Sequence, residues 1–145
     1  MTPRLRHATG TDATRLADLL IDTRKAFMPY APSAHSEVDV RAWVASKLLP
    51  TGAVVVAELD GRVVGAMATT TEAEASWITQ MAVEPALVGK GLGTQLLRNA
   101  IANLGSPIRL WTFQQNAGAR RFYERNGFVA IRFTDGQDNE ERCPD

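Results

Sequence analysis

Residues 77–102, WITQMAVEPALVGKGLGTQLLRNAIA, decide the fold. Trp77, Thr79, Met81 and Val83 alternate with Ile78, Gln80 and Ala82, the two-residue period of an extended chain. Glu84-Pro85 ends that strand, because proline brings no backbone donor. Glycines at 89, 91 and 93 then let the main chain turn sharply and come close to a ligand. Leu92, Leu96, Leu97, Ala100, Ile101 and Leu104 follow at helical spacing, and Gly105 and Pro107 stop the helix. The first N–H groups of a helix have no intrahelical partner, and its dipole favours negative charge at that end. A phosphate or pyrophosphate is therefore expected on the main chain of Val88, Gly89, Lys90, Gly91, Leu92, Gly93 and Thr94. The alternative is a tight strand-to-helix turn with no ligand, and Lys90 is either a phosphate contact or a solvated lysine.

Outward from this stretch, the pattern is regular. Residues 4–9 read as a first strand, and 13–27 as a helix capped by Thr11-Asp12. Ser36 to Asp39 opens a second helix with Val40, Trp43, Val44 and Leu48 as its apolar stripe. Residues 53–59 and 63–71 are strands joined by Asp60-Gly61, a hairpin signal. With the strand ending near Val83 they make a three-strand antiparallel meander. Residues 108–112 read as a strand parallel to it, reached through the long helix. A short helix capped by Asn116 and ended by Asn126-Gly127 is followed by an expected strand over 128–134 and a polar loop from Asp135.

Composition narrows the function classes. The chain has 145 residues, 45% of them hydrophobic, which points to a single folded domain over residues 1–145. Lysine plus arginine and aspartate plus glutamate both number 16, so no basic excess indicates nucleic acid. The one cysteine, Cys143, excludes an internal disulfide and a cysteine-based zinc site. Without a signal-like apolar start or a long apolar run, a cytoplasmic protein with no membrane partner and no metal is expected.

Two phosphate motifs fail on spacing. A P-loop needs Ser or Thr after Gly-Lys, and here Gly91 follows Lys90. A dinucleotide fingerprint needs G-x-G-x-x-G straight after the strand and an acid about 20 residues on; neither is present. Strand, V-x-P, five residues and G-x-G before a helix resemble the acetyl-CoA segment of the GNAT (GCN5-related) N-acetyltransferases. Val88 stands where that family has Gln or Arg, which removes one side-chain contact and leaves the main-chain cradle. The run Asn116-x-x-Ala119-x-x-Phe122-Tyr123-x-x-x-Gly127-Phe128 is similar to the family's other cofactor segment.

The resemblance covers nearly the whole chain. It implies an α/β (α+β) fold with a mixed central sheet in the order β-α-α-β-β-β-α-β-α-β. The family's usual seventh strand is not expected after Cys143-Pro144-Asp145; either the chain is shortened or another chain supplies the strand, and a homodimer is among the expected assemblies. The implied reaction is direct acetyl transfer from acetyl-CoA to a primary amine, small or peptide-borne, in a ternary complex. Main-chain groups of Met81, Ala82 and Val83 would hold the pantetheine arm where the two parallel strands part, with the Met81 N–H polarising the thioester. Asn116 would contact the arm beside Ala119 and Phe122, and Tyr123 would protonate the departing thiolate. The alternative function is a non-catalytic acyl-CoA sensor; a nucleotide-binding module is a weaker third.

The base stays open among His35, Glu72, Glu74, Glu140, Glu141 and water, because the strand before the glycine turn carries no acid. Acceptor selectivity is expected from residues 27–35 and 135–141. Trp43 and Trp77 read as core, and Trp111 as a wall of the acceptor side.

Overall fold

The computed structural model describes residues 2–145 apart from 31–34, 106, 138, 140 and 142. Its elements are β1 (Arg4–His7), α1 (Ala13–Phe27), α2 (Glu37–Trp43), β2 (Val54–Leu59), β3 (Arg62–Thr71), β4 (Ser76–Val83), α3 (Leu92–Asn103), β5 (Ile108–Leu110) and α4 (Ala117–Arg125). The strands form one sheet in the order β1-β2-β3-β4-β5. Every pairing is antiparallel except β4 with β5, which is parallel. The meander and the parallel crossover expected from the sequence are both present. Asp60 and Gly61 hold φ of 52° and 78°, the doubly left-handed turn that suits the twist of a two-residue hairpin.

Alternation along the strands sends side chains to two layers. Leu16, Ala17 and Leu19 of α1, with Val44 and Leu48, pack on Val54, Val56, Ala66, Ala68 and Ala82. On the other face, Leu96, Leu97 and Ala100 of α3 pack on Ala57, Met67 and Ile78, and Phe122 and Tyr123 of α4 join them. Each fully buried leucine contributes about 1.5–3 kcal/mol of burial, so the sheet is held from both sides. Ala66 and Ala68 leave room for α1, while Met67 reaches α3.

Sequence and structure differ at several points. Asp12 does not cap α1 with its side chain. Its carboxylate instead accepts from Arg6 Nη1 and Nη2 at 2.8 and 2.9 Å and from the Thr9 N–H at 2.7 Å. A paired guanidinium fixed on β1 outcompetes a local cap. Ile101 is 47% exposed, because α3 turns it away from the sheet. Trp43 is also half in solvent, whereas its neighbour Val44 is fully buried. Strand β5 is three residues long, ending at Leu110 rather than 112. Residues 128–134 join no ladder, although their alternation predicts a strand. Val129, Ile131 and Phe133, which create that alternation, are 79%, 76% and 59% exposed. A strand is stabilised by its paired neighbour, and periodicity alone supplies none.

The Arg6–Asp12 pair makes folding pH-dependent. Hydrogen bonds from Arg6 hold the Asp12 carboxyl at about 2, below its ordinary 3.8. A depressed carboxylate stabilises the fold fully above its unfolded value and loses that contribution as pH falls through the folded one. Between about pH 4 and pH 2 the protein should lose about 1–2 kcal/mol through this group, after allowance for solvent screening. Urea titrations across that window should show it, and Asp12→Asn should remove that part of the pH dependence.

Candidate active site

Beyond Ile78 and Leu110, β4 and β5 share no ladder, although β4 runs on to Val83. The chain after β5 leaves β4 there, and a cavity of about 1140 Å³ opens between them. Its walls include residues 78–83 of β4, residues 110–113, the glycine turn and α4. In the antiparallel pairing with β3, Glu84 N–H donates to Val64 O at 2.8 Å. Alternate residues of such a ladder turn their main-chain groups the same way. Residue 82 therefore faces β3 like Glu84, and the N–H and C=O groups of Met81 and Val83 face the gap.

The glycine turn closes one end. Gly89 and Gly91 have φ of 87° and 88°, the left-handed region that L side chains rarely adopt. Gly91 is the N-cap of α3 and supplies no side-chain cap. The first bond of the helix is Gln95 N–H to Gly91 O at 3.1 Å, so the N–H groups of residues 92–94 precede the ladder. Gly93 is constrained by space instead. A Cβ there would sit 3.2 Å from Met81 Cε and 3.3 Å from Phe122 Cζ. Absence of that carbon lets α3 and α4 approach over β4.

Tyr123 occupies the middle. Phe122 and Phe128 rings meet it edge-on, with centroids 5.2 and 5.6 Å away. Burial raises its hydroxyl to about 12, so it is protonated throughout the neutral range. The O–H donates to Met81 Sδ at 3.4 Å. A thioether is a weak acceptor, so the proton is not committed to a carbonyl. Asn116 caps α4, its Oδ1 accepting the Ala119 N–H at 3.2 Å. Only the amide nitrogen of Asn116 is thereby left to donate to a ligand.

Of the cofactor residues expected from the sequence, Met81, Ala82, Val83, Val88, Gly89, Gly91, Leu92, Gly93, Thr94, Asn116, Ala119, Phe122 and Tyr123 line this cavity. Lys90 does not; it is exposed at the tip of the turn. The base candidates scatter. Glu141 lines the cavity, with Arg24 Nη2 3.2 Å from its Oε1. Glu72 lines a separate, shallower basin, and His35 and Glu74 are exposed and line neither. Glu140 lies outside the described residues. Cys143 is not part of the lining; its thiol donates to Glu141 O at 3.4 Å.

The end of the cavity nearest α1 is built partly from residues that no sequence motif marks. Thr23 and Arg24, on the last turns of α1, line it with Phe27 and Met28. Thr23 Oγ1 and Tyr30 OH are buried and make no hydrogen bond among the described residues. Burial, and then Cys143, raise the Tyr30 hydroxyl, while Arg24 opposes them. The available signal was positional. Leu16, Leu19 and Leu20 lead at helical spacing to Thr23 and Phe27, so a polar residue falls on a buried stripe. Of the expected acceptor segments, 31–34, 138 and 140 lie outside the described residues; Phe27, Met28, Asn139 and Glu141 reach the cavity. Asn139 ties that last loop together, its Nδ2 donating to Cys143 O at 2.7 Å and its Oδ1 accepting the Cys143 N–H at 3.2 Å.

A family model for the acetyltransferase (GNAT) domain matches residues 50–130. No curated protein is a significant match. Among solved structures, the chain is similar to the PaiA N-acetyltransferase of Thermoplasma acidophilum in complex with coenzyme A. Identity is 19% over 97% of this chain and 96% of that one, with a TM-score of 0.78. It is also similar to apo YjaB of Escherichia coli, at 19% identity, 99% and 94% coverage and a TM-score of 0.78. A GNAT-family acetyltransferase of Bacillus cereus is 16% identical, with 96% and 91% coverage and a TM-score of 0.76. At these identities the structures speak for the shared fold. No helix among the described residues is long and apolar enough to cross a membrane.

Proposed function

Because the chain belongs to the GNAT acetyltransferase family, we propose that it moves an acetyl group from acetyl-CoA to a primary amine by direct transfer in a ternary complex. One observation carries this reading: the glycine turn, the unpaired edge of β4 and the Tyr123 hydroxyl border a single cavity. The left-handed turn at Gly89 and Gly91, and the three leading N–H groups of α3, suit a chain that ends in a pyrophosphate. The thioester, when bound, supplies the activated acyl group.

The protein's own groups then divide the work. The N–H groups of residues 92–94 neutralise phosphate charge at the helix start. Met81 and Val83 offer main-chain hydrogen bonds along the gap, and the Met81 N–H stabilises the negative charge that develops on the carbonyl oxygen. Asn116 Nδ2 donates to the arm. As the amine nitrogen bonds to the carbonyl carbon, the C–S bond breaks, and Tyr123 gives its proton to the departing sulfur. The thioether that Tyr123 meets at rest is easily exchanged for a thiolate, a far better acceptor. Glu141, which lines the cavity paired with Arg24, offers the second carboxylate oxygen to the incoming ammonium, and water takes the proton the amine sheds. The partner is a small or peptide-borne amine, and the cytoplasm, where acetyl-CoA is available, is the place of action.

Thiol release from acetyl-CoA across a panel of primary amines tests the reading. Amine-dependent release is expected. Binding of acetyl-CoA without release for any amine would instead identify an acyl-CoA sensor. Selective binding of ATP would overturn both.

A further inference from the structure

A second basin of about 410 Å³ lies beside the main cavity, lined by Thr70, Glu72, Trp77, Ile78, Thr79 and Trp111. Ile78, Thr79 and Trp111 also line the main cavity, so the two spaces adjoin across a shared wall. Trp77 does not belong to either core cluster, contrary to the expectation from sequence. The reason is register. Ile78 pairs with Leu110 and faces α3, whereas Trp77 is paired with Thr70 and Arg109 and faces the opposite side. A shift in the β3–β4 register between Ala68 and Thr69 leaves Thr79 with no residue directly opposite, its Oγ1 donating to Ala68 O at 3.3 Å, and exposes it at the junction of the two spaces.

The chemistry of this basin is specific. Trp77 and Trp111 border it, and Glu72 is the one charged residue in its lining. Indole faces attract cations through the ring quadrupole, and a nearby carboxylate adds to that attraction. The Trp111 ring already takes a cation from its own chain, with Arg132 Cζ 5.6 Å from the centroid. Arg132 lines the main cavity and not the basin. No cation of the described chain lines the basin itself.

We propose that this basin holds a second positive charge of the acceptor, so that the preferred substrate is a diamine or polyamine whose far ammonium rests between Trp77, Trp111 and Glu72. The inference rests on the acetyltransferase reading above and names its substrate class. One amine enters the main cavity beside Tyr123, and the other anchors the molecule in the adjoining basin.

The test compares α,ω-diamines of three to ten carbons with monoamines of equal length, using the full chain and acetyl-CoA. At least one diamine should show a KM about tenfold below that of its monoamine, the size expected for a partly desolvated cation–π contact. Glu72→Gln and Trp77→Leu should each erase most of that difference, with kcat and KM for the monoamine within about twofold of the parent; Trp77→Phe should keep it. Calorimetric binding of the same diamine, with and without coenzyme A, reads the basin even where no turnover occurs. Diamine binding lost in Glu72→Gln without any acetyl transfer would sustain the basin and defeat the enzymatic reading. Equal KM for diamine and monoamine, or an equal effect of Glu72→Gln on both, would overturn the proposal. So would a gain for phenethylamine that survives Glu72→Gln, since the basin would then read rings and not charge.

Discussion

Replacing Tyr123 with phenylalanine should lower kcat by about a hundredfold, the typical worth of a positioned general acid, with little change in affinity for acetyl-CoA. The phenyl ring keeps the edge contacts to Phe122 and Phe128, so the fold and the cavity shape persist. What goes is one proton donor whose partner at rest is a thioether. Losing a bond that weak costs the folded state little, so the effect concentrates on the step in which sulfur leaves. Since burial raises this hydroxyl to about 12, its deprotonation should not bend the rate profile of the parent between pH 6 and pH 9. Single-turnover thiol release gives the rate, and calorimetry gives the affinity. An unchanged kcat would remove Tyr123 from the chemistry and leave solvent as the proton source.

Gly91→Asp should abolish measurable binding of acetyl-CoA in a protein that still folds. Nothing lies within 4 Å of the Cβ that would be added, so sterics do not forbid the change. The cost to the fold is the left-handed φ of 88°, on the order of 1–2 kcal/mol, and aspartate tolerates that region better than most residues. The cost to binding is larger. A carboxylate about 4 Å from a phosphate repels it by about 4 kcal/mol at an effective dielectric of 20, close to a thousandfold in affinity. Isothermal titration should show the loss, with an unfolding midpoint only a few degrees below that of the parent. Gly91→Asn, which has the same backbone preference and no charge, should fall between the two. If Gly91→Asp bound as well as the parent, the anion site would lie elsewhere.

These two residues show why parts of the site are legible in sequence. A left-handed turn before a helix leaves a mark, because glycine is the residue that adopts it without cost. Tyr123 is legible because Asn116, Ala119, Phe122 and Gly127 fix its place at helical spacing. The antiparallel meander is equally plain, since Asp60-Gly61 dictates a hairpin and the valines around it dictate strands. The end of the cavity nearest α1 is harder to read. Arg24 and Glu141 are 117 residues apart in the chain, and only the packing of the last loop against α1 puts them 3.2 Å from each other. Trp77 reads as core from alternation, which gives two faces without saying which one is covered, and in the structure it joins neither core cluster. Residues 128–134 fail for a related reason, since a strand needs a neighbour that local pattern cannot supply.

The way β4 parts from β5 has a consequence for redesign. In the proposed reaction Met81 and Val83 would act through peptide groups, and Gly89 and Gly91 through backbone angle, so the donor end of the cavity would be specified by the path of the chain. The proposed amine end would instead be specified by side chains on α1 and the last loop, Thr23, Arg24, Phe27, Met28 and Glu141 among them, which line the same cavity. The two ends are written in different alphabets. Substitution libraries restricted to the second can change which amine is accepted while the donor half keeps its shape.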